Sequence, residues 1–146
     1  MNEKEILPSE NSQTIFEQGI TELMHEQILF AEGIYAHIPI SIEMYDTDGI
    51  LRFINDHALK MYGVSDRSAV VGVVNLFSSP YMDDQLKARI QSGEENMTLE
   101  FEYDFNRINE DEYFATYNKN SMIFEVQLVP LRNKAGDIIG HMLLSN

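Results

Sequence analysis

The chain has 146 residues and no cysteine, with 24 acidic against 10 basic residues and a formal net charge of −14. A single domain of that length buries roughly 68–70% of its unfolded surface without a disulfide or metal, and the lack of Cys excludes disulfides, thiol catalysis and cysteine metal sites. The acidity opposes phosphate backbones and anionic membranes, so no nucleic-acid partner is expected.

Residues 1–11 are polar around Pro8 and read as a frayed terminus. They lack the apolar core of a signal peptide, and no later run nears the ~18 apolar residues of a membrane span, so a soluble, cytoplasmic chain is expected. Thr14 and Glu17 have capping-box spacing. From there Phe16, Ile20, Leu23, Gln27, Phe30 and Ile34 recur at spacings of three and four, with Met24, Ile28, Ala31 and Tyr35 beside them. This predicts an amphipathic helix over 12–37, ended by the restriction Pro39 places on Ile38. Its broad apolar face needs either the domain's own sheet or a second copy. The reading adopted is a homodimer through this helix, with docking on the chain's own sheet as the alternative; Gln27 within the stripe would suit register selection.

The next stretch, Ser41 to Gly63, organises the rest. Ile42 and Met44 alternate with Ser41, Glu43 and Tyr45, the turn Asp46-Thr47-Asp48-Gly49 follows, and a second short apolar run begins at once. Asp-Gly between two such runs predicts a β-hairpin. Asn55 and Asp56 can cap a helix that carries Ala58, Leu59, Met61 and Tyr62 until Gly63 stops it. Ser65 or Asp66 caps a further short helix ending at Gly72, residues 75–80 read as loop, and 83–92 form a helix with Leu86 and Ile90 on one face. Leu99, Phe101, Tyr103 and Phe105 then alternate with Glu100, Glu102 and Asp104, the pattern of a half-buried antiparallel strand. Residues 106–120 read as a long surface loop around Tyr113 and Phe114, and 123–131 and 138–144 as a hairpin about the turn 133–137. Short helices between a first hairpin and a final meander make an α+β domain with an antiparallel sheet.

The chemistry in this pattern is sparse. Asp46 and Asp48 are the residue types a turn requires, and Glu100, Glu102 and Asp104 are those of a solvated strand face, although either group, the latter with Glu110, Asp111 or Glu112, offers oxygens to a cation. His25, His37, His57 and His141 lack ligand-like spacing, and no Ser sits in a nucleophile elbow. Eight methionines, several in or beside core elements, suit cavity filling or an adaptable ligand pocket equally.

The Asp-x-Asp-Gly turn, a short strand ending at Asn55, and a brief helix ending in Tyr62-Gly63 resemble the start of a PAS domain, a sensor module of bacterial signalling proteins. The resemblance runs from about Ile38 to the end, which divides the chain into terminus (1–11), amino-terminal helix (12–37) and PAS-like domain (38–146). It implies a five-stranded antiparallel sheet with short helices on one face and a long N-terminal helix. The face toward the helices would carry Ile42, Met44, Leu51, Phe53, Phe101, Tyr103, Phe124, Val126, Leu128, Met142 and Leu144. Tyr45, Ile123, Val129, His141 and Leu143 would form the other face, too apolar to stay in water and covered by the amino-terminal helix or a partner.

Function follows from the same resemblance. It implies a sensor domain without enzymatic activity, from a two-component sensor histidine kinase or a related regulator. A small apolar or amphipathic ligand, or a partner, would shift the flanking helix in a dimer. The implied ligand-binding residues are Met44, Phe53, Leu59, Phe77, Leu86, Ile90, Phe101, Tyr103, Val126 and Met142, with Asn55 fixing the strand-to-helix junction. No cofactor is expected: a flavin–cysteine adduct needs a Cys, and haem-binding relatives use a His in the helix that here spans 83–92 and has none. The chain departs from kinase PAS domains at Leu144-Ser145-Asn146, where those usually run on through an Asp-Ile-Thr-like exit; it is read either as an excised domain, with the output domain the resemblance implies outside it, or as a stand-alone protein whose output is association. The alternatives are a ligand-free dimerisation module and a small α+β enzyme using carboxylates, for instance one paired with His57.

Overall fold

A computed structural model describes residues 11–21 and 39–146. Residues 11–21 are helical (α1), followed by strands β1 (Ser41–Asp46) and β2 (Leu51–Ile54), helices α2 (Asp56–Tyr62) and α3 (Asp84–Gln91), β3 (Met97–Asp104), α4 (Phe105–Glu110), β4 (Ser121–Arg132) and β5 (Ile138–Ser145). Single 3-10 turns at Arg67–Ala69 and Leu76–Ser78 bridge α2 and α3. The sheet has five strands in the order β2-β1-β5-β4-β3, every neighbouring pair antiparallel, as expected for the α+β class.

Local chemistry accounts for the element ends. Asp46 Oδ1 accepts from the backbone N–H of Asp48 (2.9 Å) and Ile50 (3.1 Å), and Gly49 takes φ +85°, so these residues build the hairpin turn. Asp46 Oδ2 pairs with Arg52 Nε at 2.7 Å, which compensates a fully buried carboxylate. Asn55 caps α2 through Ala58 N–H, and Asp83 caps α3 through Leu86 N–H. Gly63 ends α2 in the left-handed region (φ +70°), where a Cβ would also lie 2.6 Å from Asn118 and Thr116.

The core lies between the sheet and α2, α3 and α4. Phe105, Phe124, Ile90 and Met97 are essentially inaccessible, each contributing about 1.5–3 kcal/mol by transfer from water. His141 is also buried there. Its Nε2–H donates to the Ile90 carbonyl (2.9 Å), tying α3 to β5, and burial pushes the imidazole below its ordinary pKa.

Three expectations change. The first is α4 with the loop after it. Strict alternation carried β3 to Phe105, yet Asp104 accepts from Asn106 and Arg107 N–H and starts a helix that buries Phe105 and Ile108 completely. A helix of six residues shows too little periodicity to announce itself. The second is the amino-terminal helix. It already includes residue 11, so Thr14 and Glu17 lie inside it and not at its cap. The stripe beyond residue 21 (Leu23, Met24, Gln27, Ile28, Phe30, Ala31, Ile34, Tyr35) and the predicted end at His37 lie outside the described residues, as do residues 1–10.

The third is the facing of β1 and β5. The cross-strand pairs Glu43–Leu143 and Tyr45–His141 turn toward the helices, and Ile42, Met44, Phe53, Met142 and Leu144 turn to the outer face, the reverse of the pattern-based assignment. The pairing offset between Met44 and Tyr45 brings both Leu51 and Ile54 inward. The assignment for Phe101, Tyr103, Phe124, Val126 and Leu128 stands, as does the outward Ile123, 64% exposed.

The described part of the amino-terminal helix docks on the chain's own sheet. Phe16 is 4% exposed and lies against Gly140, where an added Cβ would be 2.9 Å from its ring and 2.2 Å from the Tyr45 carbonyl oxygen. Gly19 abuts Ile139, and Ser12 Oγ donates to Asp48 Oδ2 (2.7 Å). α1 is thus tied to the β1–β2 turn and to β5.

Candidate functional site

Between the inner sheet face and the helices lie two adjoining cavities of about 30 Å³ each, with Tyr62, Leu76, Tyr103 and Leu143 as their shared wall. Each is large enough for about two water molecules. The second is apolar, lined by Leu86 and Ile90 of α3, Leu99 and Phe101 of β3, and Val126 and Leu128 of β4. The first carries a charge-bearing group, the Glu43 carboxyl of β1.

Glu43 is 6% exposed. Tyr45 donates its hydroxyl to Oε1 at 2.7 Å and Tyr62 donates to Oε2 at 2.9 Å, one phenol for each oxygen. Burial raises the carboxyl's pKa, and the two hydrogen bonds oppose that rise without cancelling it. Burial also lifts the phenols of Tyr45, Tyr62, Tyr103 and Tyr113 above their ordinary range, so all four remain hydroxyl donors near neutral pH. Ser145, 1% exposed, sits beside the Tyr62 hydroxyl.

Aromatic rings complete the walls. Tyr62 lies 5.8 Å from Tyr103, 6.0 Å edge-on from Phe114 and 5.4 Å from Phe124. Tyr81 stacks on Tyr103 at 4.7 Å, accepts from Asp104 N–H and carries Arg107 5.0 Å from its ring centre, which fastens the segment before α3 to α4. The segment after α4 closes over the end of α2: Thr116 Oγ1 donates to the Tyr62 carbonyl (2.6 Å), Asn118 Nδ2 to the Met61 carbonyl (3.0 Å) and Tyr117 N–H to Gly63 (2.9 Å). The apparent loop is therefore a hydrogen-bonded cover that brings Tyr113 and Phe114 to the first cavity.

The ten residues singled out from sequence fall into three groups. Leu86, Ile90, Phe101, Tyr103 and Val126 line the second cavity, and Tyr103 borders both. Leu59 and Phe77 pack against the same core without lining either cavity. Met44, Phe53 and Met142 sit on the outer face, half-buried or, for Phe53, 39% exposed, and the correction has a physical cause. Glu43 reads as a solvent-facing residue, and only its pairing with two phenols, one of them 19 positions away, lets it turn inward. Glu43, Tyr45, Tyr62, Tyr113 and Leu143 were missed as cavity residues; the Tyr at Glu43 plus two was the one local signal.

The remaining chemistry stays outside the cavities. His57 is exposed, its Nδ1 3.0 Å from Ser41 Oγ, and no carboxylate is paired with it among the described residues. Glu100, Glu102 and Asp104 face solvent, and among the described residues no group of three or more His, Asp or Glu side chains is placed to hold a metal ion.

No curated protein matches the chain. Among solved structures it is similar to the PAS domain of an HTR-like protein from Haloarcula marismortui (TM-score 0.56, 19% identity, 84% of this chain and 97% of that one). It is also similar to the photoactive yellow protein domain of the sensor histidine kinase Ppr from Rhodospirillum centenum (0.54, 13%, 80% and 96%) and to the PAS domain of Bordetella pertussis BvgS (0.52, 16%, 82% and 85%). At such identities the likeness concerns the fold. The family model of the PAS domain matches residues 39–145, which hold the whole sheet and both cavities, and the chain therefore belongs to the PAS domain family.

Proposed function

We propose that this PAS domain is the sensing module of a cytoplasmic signal-transduction protein, of the sensor histidine kinase type, and that it acts by binding and not by catalysis. A small amphipathic ligand occupies the adjoining cavities, with its polar end at Glu43 and its apolar end against Leu86, Ile90, Phe101 and Val126. The observation that carries this reading is a pair of mainly apolar cavities that share Tyr62, Leu76, Tyr103 and Leu143, one of them holding the single carboxyl of Glu43.

The relay runs through β1. Its inner side chains, Glu43 and Tyr45, line the first cavity, and its end holds the Asp46–Arg52 pair and the turn whose Asp48 accepts from Ser12 of α1. Displacing β1 therefore changes the seat of α1. A homodimer through the amino-terminal helix and the outer face, where Met44, Phe53, Val129 and Met142 present apolar surface, passes that change to an output domain outside this chain. No resident metal or cofactor is required, and no helix among the described residues is long and apolar enough to cross a membrane.

Glu43 is the kind of carboxyl an acid–base enzyme would use. The described lining of its cavity offers it no His, Lys or second carboxylate, which leaves phenols as its proton-exchanging partners and favours recognition. Native mass spectrometry of the full chain against its denatured mass tests the proposal: a dimer carrying a non-covalent adduct is expected, and a bare monomer would contradict both ligand and dimer.

A further inference from the structure

Resting on that sensor reading, we infer that the first cavity takes the head of a small aliphatic ammonium ion, whose alkyl tail extends into the second. Glu43 is the only charged residue among the described residues lining either cavity. A buried carboxylate without a cation is costly, and an ammonium head removes that cost, whereas a carboxylate or phosphate ligand would add to it. Each Glu43 oxygen takes one phenol, which leaves lone pairs on both for N–H donors.

The rings strengthen the case. Tyr62, Tyr103, Tyr113 and Phe114 wall the same space, and a cation over the face of one of these rings is attracted by its quadrupole. The cavity volumes of about 30 Å³ each suit a short alkylamine and not a fused-ring cofactor. A net charge of −14 favours approach of a cation.

The test is isothermal titration and thermal shift of the full 146-residue chain with n-butylammonium, n-butanol and butyrate at neutral pH. Butylammonium is expected to bind saturably and about tenfold or more tighter than butanol, with no binding of butyrate. Glu43→Gln should remove the preference, so that this variant binds butylammonium no tighter than butanol; Tyr62→Phe, which keeps the ring, should weaken the preference. Equal affinity for amine and alcohol, or a preference that survives Glu43→Gln, overturns the ammonium assignment and leaves the sensor reading intact. Failure of all three probes to bind saturably overturns both.

Discussion

Asn55 holds the junction between the first hairpin and the helix beneath the cavity, and its replacement by Ala gives a sharp test of how the fold is assembled. Its Oδ1 accepts from Ala58 N–H (2.9 Å) and from Ile42 N–H (3.1 Å), and its Nδ2 donates to the Ile40 carbonyl (2.8 Å). Loss of an N-cap costs about 0.5–2 kcal/mol, and stranding the buried Ile42 N–H adds roughly 1–3 kcal/mol. Overlap between these losses puts the total near 2–4 kcal/mol, or about 5–15 °C in Tm for a domain of this size. Asn55→Asp retains the acceptor but sets a buried carboxylate oxygen against the Ile40 carbonyl, so it too should fall below wild type. Urea denaturation of the three chains reads both differences. An Ala variant within about 0.5 kcal/mol of wild type, or an Asp variant as stable as wild type, would refute the reasoning.

Two further predictions follow from close packing and burial. Gly140→Ala places a Cβ 2.2 Å from the Tyr45 carbonyl oxygen and 2.9 Å from Phe16, so it should cost about 1–3 kcal/mol in urea denaturation and release hydrogen-exchange protection in α1 before the sheet. Unchanged protection in α1 would show that the helix is held elsewhere. Because burial raises the Glu43 carboxyl in the folded chain, the stability it contributes is complete below about pH 4.3 and is lost as pH rises through the folded value. Glu43→Gln should therefore gain on wild type in thermal melts as pH climbs from about 4 to 8, with the opposing titration of His141 cancelling in the difference. A gap that shrinks with pH would reverse the assigned cause.

Much of the architecture was legible because it is written in local signals. The Asp46–Gly49 turn, the caps at Asn55, Asp66 and Asp83, and the alternation through Leu99, Phe101 and Tyr103 each act within a few residues, and each element appears where its signal stands, except that Asp66 opens only the 3-10 turn Arg67–Ala69 and not a helix reaching Gly72. The cavity was only half legible, and the division is physical. Leu86, Ile90, Phe101 and Val126 are apolar on elements of clear period. Glu43 owes its inward facing to Tyr62 on another element, and Tyr113 and Phe114 owe theirs to the hydrogen bonds of Thr116 and Asn118 to α2, contacts that no periodicity encodes. Met44 and Met142 pair across β1 and β5, so a phase error in one strand carried to the other.

The most direct test of the central claim is methyl NMR of the full chain, labelled at Ile and Met, during titration with n-butylammonium and in parallel with n-butanol. Using both probes separates where binding occurs from what the head group prefers. The account predicts saturable shifts at Ile54, Met82 and Ile90 on the cavity side, with Met44, Met142 and Ile123 on the outer face changing little. Shifts confined to the outer-face methyls, or no saturable change with either probe, would contradict it.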